Sequence, residues 1–137
     1  MDYGAKRIGL AISDDGGRVA MGLELIERTR GETEEQAADR VAARAKEEGA
    51  GEIVVGLPRH MDGSESESTR AAHRFSQLLG GRAGVRVTTW DERLSTNEAE
   101  RRLRGAPLSR KRRRGHVNVV AAQVILEEYL AHRSSGG

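Results

Sequence analysis

The chain has 137 residues and a formal net charge of +2, with 36% hydrophobic and 32% charged residues, which is typical of one globular domain with a sizeable core. It contains no cysteine, which excludes disulfides and thiolate chemistry and fits a reducing cytoplasm. No apolar run reaches the length of a membrane span or of a signal-peptide core, so we expect neither membrane insertion nor export.

The opening segment, residues 2–14, predicts a strand tip, a tight turn and a second strand. An acid comes first, two glycines flank two cations, and an apolar run follows. A carboxylate beside exposed backbone N–H groups and cations suits a divalent metal and a phosphate. The alternative is an ordinary hairpin in which the acid only forms the turn. The residues concerned are, in order, Asp2, Gly4, Lys6, Arg7 and Gly9.

Further along, the pattern predicts a third strand, then helix, strand, helix, strand, helix and helix. The third strand covers 19–26, and the later strands cover Glu52–Leu57 and Val85–Trp90. Capping boxes beginning at Thr33, Ser64 and Ser95 predict the starts of three helices. A meander that passes into βαβ units predicts a mixed sheet flanked by helices.

The C-terminal third predicts one long helix between two irregular segments. Arg110–Arg114 is expected to be a mobile loop, and Val117–Leu130 a strongly apolar, largely buried helix. Residues 133–137 are expected to be a polar tail, which leaves residues 1–132 as a single domain.

Acidic side chains follow the strands of this sheet. Ligands bind beyond the carboxyl ends of parallel strands, and this rule selects Asp2, the turn 56–58 and the acids Asp91 and Glu92. Glu92 could instead stabilise the dipole of the following helix, with Arg93 as its ion-pair partner. Because the two acids directly follow an apolar strand, we favour a functional role.

Positive charge is concentrated in one stretch. Residues 101–114 hold eight cations and no acid, and the rest of the chain has 15 basic and 21 acidic residues. A basic stripe on an otherwise acidic protein indicates a polyanionic partner. The alternative is a solvated loop. The eight cations are Arg101, Arg102, Arg104, Arg110, Lys111, Arg112, Arg113 and Arg114.

Four segments together resemble the YqgF/RuvX family. The first is residues 2–14, and the second is residues 53–58 continuing into 61–64. The third is residues 91–96 with Glu98 and Ala99, and the fourth is residues 121–126. These segments span almost the whole chain.

The resemblance implies an α/β, RNase H-like fold with a mixed five-stranded sheet flanked by helices, similar to Holliday junction resolvases. It implies a nuclease that processes the 5′ end of pre-16S rRNA, with pre-rRNA or branched DNA as partner. Asp2 and Glu92 match acidic positions of the family, and Asn118 stands at a third catalytic position. By the resemblance, the residues that would face the nucleic-acid backbone are Lys6, Arg7, Arg93, Ser95 and Thr96. From its charge, we also expect the basic run to hold phosphates, namely Arg110, Lys111, Arg112, Arg113 and Arg114.

Phosphodiester hydrolysis needs an activated water and stabilised charge on the attacking and leaving oxygens, which two divalent cations can supply. A few convergent carboxylates hold Mg²⁺ or Mn²⁺, so we expect Asp2 and Glu92 as metal ligands. No Cys or His spacing indicates zinc. Aromatic residues make up 3% of the chain, so recognition should rely on phosphates and shape.

Two features depart from the family pattern. Met1 directly precedes Asp2, which truncates the first strand to a stub, and we expect the natural chain to start several residues upstream. Asn118 stands where the family carries its last acidic residue, and it brings no negative charge. Its alternative role is the N-cap of the last helix.

Three function classes remain open on the sequence. The first is a metal-dependent nuclease, and the second is a catalytically weak nucleic-acid-binding protein or junction resolvase of the same fold. The third is a phosphotransferase of the actin and sugar-kinase type, whose first hairpin has a similar pattern. The length of the chain disfavours the third class, because those enzymes close two domains around a nucleotide.

Overall fold

The protein, described here by a computed structural model, has a mixed α/β fold, which confirms the predicted class at this level. Its backbone contacts divide the chain into two compact units, Met1–Glu27 with Leu94–Gly137, and Arg28–Arg93. The structure describes residues 1–58, 65–92, 95–104 and 110–135, with side-chain environments for all of these except 95–97, 110–115 and 135.

In the described part of the chain, four strands and four helices follow the predicted order, except that the first of the three predicted opening strands is present only as a bridge at Asp2. In chain order they are β1 Arg7–Ser13, β2 Ala20–Glu27, α1 Glu34–Glu47, β3 Glu52–Pro58, α2 Glu67–Gly80, β4 Arg86–Glu92, α3 Ser95–Leu103 and α4 Arg110–Ser135.

In the first unit, helix α4 packs on the antiparallel hairpin of β1 and β2, and α3 packs on α4. The hairpin register shifts between Leu10 and Ala11, which marks a bulge on β2. Ile8 and Ile125 are almost completely buried, so both the hairpin and α4 contribute to the core of this unit.

In the second unit, helix α2 covers the parallel pair β3 and β4, and α1 packs on α2. Ile53 to Leu57 of β3 are all buried, as the nearly continuous apolar run predicts for a parallel strand. Phe75 and Leu79 of α2 fill the space above them.

The strand pairing reproduces the predicted sheet only in part. The described residues form two pairs, antiparallel β1–β2 and parallel β3–β4. Asp2 makes an isolated antiparallel bridge to Gly9. The five-stranded sheet and its stub first strand are therefore not confirmed, and the single-domain boundary at residue 132 stays a prediction.

Of the predicted capping boxes, one is confirmed and one is wrong. Thr33 caps α1, and the reciprocal bond from Thr33 N–H to Gln36 Oε1 completes the box. Helix α2 is capped by Ser66 with Thr69 as its partner, two residues later than the predicted box at Ser64. Ser64 lies outside the described residues, as does the side chain of Ser95.

Two element boundaries also differ from the prediction. Strand β4 continues through Asp91 and Glu92, so these acids end the strand instead of following it. Helix α4 begins at Arg110 and ends at Ser135, so the predicted loop Arg110–Arg114 and most of the predicted tail are helical. Arginine and lysine are good helix formers, which explains why a cationic run extends the helix.

Across the described ranges, no helix is both long and apolar enough to cross a membrane.

Candidate active site

Asp2 is positioned by the backbone of Gly9. The Asp2 N–H donates to Gly9 O at 2.9 Å, and the Gly9 N–H donates to Asp2 O at 3.0 Å. This reciprocal pair fixes the main chain of the candidate acid against β1. The glycine-flanked turn predicted from the sequence therefore brings Asp2 beside β1, the strand that follows the turn.

Gly9 is needed for space and not for an unusual backbone angle. A Cβ atom placed on Gly9 would lie 2.0 Å from the Asn118 carbonyl oxygen and 2.8 Å from Val119 N, both in the backbone of α4. On β2, a Cβ on Gly22 would lie 2.8 Å from Val119 Cγ1. Neither glycine has a positive φ angle. The two glycines therefore let α4 approach the hairpin closely enough for Asn118 to reach Asp2.

Asn118 and Asp2 form a direct side-chain contact. Asn118 Nδ2 donates to Asp2 Oδ2 at 3.0 Å. Helix α4 begins eight residues earlier, at Arg110, so the alternative role of Asn118 as the N-cap is wrong. The structure thus brings together two of the three predicted catalytic residues.

Burial controls the charge of Asp2. Desolvation raises the pKa of its carboxyl group to about 6, while the Asn118 hydrogen bond and the positive charge of the Met1 amine lower it by less. A carboxylic acid with a pKa near neutrality can both carry charge and accept a proton at physiological pH. Asp2 therefore has the electrostatic character of a functional acid.

Glu92 lies in the second unit, at the carboxyl end of the parallel strands. It is the last residue of β4, lies opposite Pro58 in the register, and is only 6% exposed. The Thr69 hydroxyl donates to the Pro58 carbonyl and ties the start of α2 to this end of β3. A buried acid at this edge agrees with the rule that selected it from the sequence.

The predicted nucleic-acid-binding residues are described to different extents. Lys6 is exposed in the turn before β1, and Arg7 is partly buried with its Nε 3.9 Å from Glu27 Oε1. Arg93 lies outside the described residues. Ser95 and Thr96 open helix α3, and Arg110–Arg114 open α4, but their side chains also lie outside the described part. The roles of these residues stay predictions.

Two cations of the basic stripe are paired with acids. Arg101 binds Glu98 through Nε at 2.9 Å and Nη2 at 2.6 Å. Arg102 Nε donates to Glu98 Oε1 at 3.0 Å, and its Nη2 donates to Glu127 Oε1 at 2.7 Å. Arg101 and Arg102 are therefore engaged within the protein, and the expectation that the stripe indicates a polyanionic partner stays a prediction.

The side chains of Asp2 and Asn118 are of the type that coordinates a divalent cation through oxygen. Asp2 offers carboxylate oxygens, and the Asn118 amide can present either its nitrogen or its oxygen. These hard donors suit Mg²⁺ or Mn²⁺, and a cation would stabilise the charge that burial disfavours. Within the described residues, no group of three or more His, Cys, Asp or Glu side chains could hold a metal ion.

Sequence reasoning missed three features of this region. The tight approach of α4 to Gly9 leaves no local pattern, because it depends on residues more than 100 positions apart. The pairs of Glu98 with Arg101 and Arg102 could have been found, since residues three and four apart on a helix are neighbours. The link from Arg102 to Glu127 joins two helices and has no such signal.

Comparison with known proteins shows which family the chain belongs to. The model of the family described as "RuvX: Holliday junction resolvase" matches residues 1–132. Three similar proteins, each named "Putative pre-16S rRNA nuclease", come from Anaeromyxobacter sp. (strain Fw109-5), Myxococcus xanthus and Pelotomaculum thermopropionicum. Their identities are 45%, 43% and 40%, over 97%, 97% and 100% of this chain and 95%, 87% and 91% of their own lengths, respectively. The chain therefore belongs to the RuvX family.

Proposed function

We propose that this chain is a nuclease that hydrolyses phosphodiester bonds at the 5′ end of pre-16S rRNA during ribosome biogenesis. Membership of the RuvX family and the names of the curated relatives support this reaction and substrate. The observation that carries the proposal is the desolvated Asp2 carboxylate, which Gly9 fixes through its backbone and Asn118 holds through its amide.

The proposed roles follow from the environment of each side chain. Asp2, with a pKa of about 6, is partly ionised at neutral pH and can accept a proton from an attacking water. Asn118 orients the Asp2 carboxylate through the amide hydrogen bond. Glu92 is the proposed acid of the second unit, buried at the end of β4.

We include Mg²⁺ or Mn²⁺ in the proposal, with Asp2 and Glu92 as ligands. When bound, such a cation would stabilise negative charge on the phosphate oxygens and lower the pKa of a bound water. The protein's contribution is to hold hard oxygen donors in a partly dry environment.

The substrate would be held by its phosphates. The cations of the first turn are exposed or partly buried at the Asp2 end of β1, and the helical run at the start of α4 adds five more. Such contacts position a nucleic acid without reading its sequence. The residues proposed for this role are Lys6, Arg7, Arg93, Ser95, Thr96, Arg110, Lys111, Arg112, Arg113 and Arg114.

The five-stranded sheet predicted from the sequence is also part of this proposal. We infer a single five-stranded RNase H-like sheet, to which the segment at Asp2 contributes. We also infer that the protein acts in the cytoplasm, where pre-rRNA is processed in bacteria.

The test is cleavage of a 5′-labelled pre-16S leader RNA beside a labelled Holliday junction, each with Mg²⁺, Mn²⁺ or EDTA. Metal-dependent cuts at a defined position in the leader support the proposal. Cutting of the junction alone would make the chain a junction resolvase. Binding of the RNA without any cut would leave a nucleic-acid-binding protein of this fold.

A further inference from the structure

The proposed active site and helix α3 share one support, helix α4. Asn118 of α4 donates to Asp2, while Glu127 of α4 accepts from Arg102 of α3. Nine residues separate Asn118 from Glu127, which is about two and a half turns and places them on opposite sides of the helix. Helix α4 therefore holds the candidate acid on one side and α3 on the other.

The link between α3 and α4 is a forked ion pair. Arg102 Nη2 donates to Glu127 Oε1 at 2.7 Å, and Nη1 donates to Glu127 Oε2 at 3.4 Å. Arg102 and Glu127 are 36% and 37% exposed, so the pair lies at the margin of the helix interface. A fork of this kind fixes an angle as well as a distance, because both terminal guanidinium nitrogens bind Glu127.

Arg102 is also fixed from within its own helix. Its Nε donates to Glu98 Oε1, and Arg101 binds the same carboxylate through two nitrogens. Arg101 and Arg102 therefore carry the same charge and share a partner, but the described bonds of Arg101 stay within α3. This difference gives the chain its own matched control.

We propose that Arg102 is a positioning residue for cleavage, which orients α3 on α4 through Glu127 and so places the start of α3 relative to Asp2. The inference rests on the proposed function, because Ser95 and Thr96 at the start of α3 are among the residues assigned to the RNA backbone. It differs from the expectation that Arg102 binds phosphate, because its guanidinium already binds two carboxylates. Misplacement of a substrate by about 1 Å can lower a rate by up to about a hundredfold.

The experiment compares Arg102→Ala, Glu127→Ala, the double variant and Arg101→Ala on the leader RNA, with kcat and KM measured separately. We expect Arg102→Ala and Glu127→Ala each to lower kcat about tenfold with KM changed less than about twofold. The double variant should lose about tenfold and not a hundredfold, since both changes break one contact. Arg101→Ala should stay within about twofold of the wild type.

The sign of the Glu127→Ala effect separates positioning from phosphate binding. Removing Glu127 would free Arg102 for a phosphate, so a phosphate-binding Arg102 predicts tighter RNA binding and unchanged or faster cleavage. Such a gain, additive losses in the double variant, or equal losses in the Arg101 and Arg102 variants would overturn the proposal. Far-ultraviolet circular dichroism and a melting curve for each variant exclude global unfolding.

The same variants separate this inference from the proposed function. If the wild type binds the RNA but does not cut it, the nuclease proposal fails, and the positioning role is judged on affinity. RNA affinities within about twofold of the wild type in Arg102→Ala, Glu127→Ala and the double variant then support it, and a larger loss in both single variants overturns it. A loss in Arg102→Ala alone overturns it.

Discussion

Two carboxylates of the first unit, Asp2 and Glu98, show opposite electrostatics. Burial raises the pKa of Asp2 to about 6, and a neutral amide is its side-chain partner. Hydrogen bonds from Arg101 and Arg102 lower the pKa of Glu98 to about 2. The Asp2 carboxyl group therefore titrates close to neutral pH, whereas Glu98 is ionised down to acidic pH. Desolvation of the carboxylate agrees with the catalytic role proposed for Asp2, whereas pairing with two arginines agrees with a structural role for Glu98.

The largest expected effect comes from Asp2→Asn. The substitution keeps the shape of the side chain but removes its charge and its capacity to accept a proton. We expect cleavage of the leader RNA to fall at least about a hundredfold, which corresponds to about 2.7 kcal/mol of transition-state stabilisation. RNA affinity, measured by fluorescence anisotropy, should stay within about twofold because the cations are unchanged.

Asp39→Asn is the matched control for this substitution. Asp39 is an acid of the second unit that binds Arg82 at 2.9 Å, and its change should leave cleavage near the wild-type rate. If Asp2→Asn cleaved as well as Asp39→Asn, Asp2 would be only a turn residue, and its raised pKa would have no role in the reaction.

The second-largest effect is expected from Gly9→Ala, which tests the close approach of α4 to β1 that brings Asp2 and Asn118 together. In Gly9→Ala the new methyl group would meet the backbone of α4 at Asn118 and Val119, which cannot yield as a flexible side chain would. Overpacking of this kind typically costs about 1–3 kcal/mol, so we expect a loss of that size in urea unfolding. Cleavage should also fall, because the helix that carries Asn118 is displaced.

Gly80→Ala separates the loss of space from the general effect of replacing glycine. A Cβ at Gly80 meets nothing within 4 Å, and Gly80 does not have a positive φ angle. This control should be neutral or slightly stabilising. Equal stability of Gly9→Ala and Gly80→Ala would show that α4 does not lie against β1 as the structure indicates.

The sequence predicted features that depend on neighbours along the chain. The capping box at Thr33 and the parallel strand Glu52–Pro58 follow from local spacing and an apolar run, and both are present. Helix α2 starts two residues after the predicted box at Ser64, with Ser66 as its cap, and the contact of Thr69 with Pro58 accompanies this later start. Features set by tertiary contact, such as the contact of α4 with Gly9, had no local signal.

A smaller effect concerns stability against pH. The folded pKa of Asp2 lies above its ordinary value of 3.8, so the folded state retains a proton that the unfolded state releases between pH 4 and 6. The contribution of Asp2 to the free energy of unfolding should therefore be full below pH 4 and fall as pH rises to 6, by on the order of 1–3 kcal/mol. Urea unfolding in EDTA measures this fall, which Asp2→Asn should lack.

Two other groups define the limits of this pH window. Burial lowers the pKa of the Met1 amine to about 6, and this group adds stability as pH rises from 6 to 8. Glu98 has a lowered pKa, so its contribution is present above its ordinary pKa and is lost as pH falls towards 2. Glu98→Gln should therefore flatten only the acid side of the profile. A fall between pH 4 and 6 that survives in Asp2→Asn would assign it to another group.

The smallest expected effect is a shift in metal requirement in Asn118→Asp. The new carboxylate would lie against Asp2, and without a cation the two acids would share a proton and lower the melting temperature. Bound Mg²⁺ would relieve this repulsion, so we expect cleavage to reach half its maximum at about threefold lower Mg²⁺, and Mg²⁺ to raise the melting temperature more than in the wild type. Helix propensity is nearly unchanged, because aspartate and asparagine have similar values inside a helix. The measurement is cleavage and melting against Mg²⁺ concentration for both proteins. If Asn118→Asp shows no gain at any Mg²⁺ concentration while the wild type cleaves, then Asn118 acts only by orienting Asp2, and the charge that binds the metal comes from other residues.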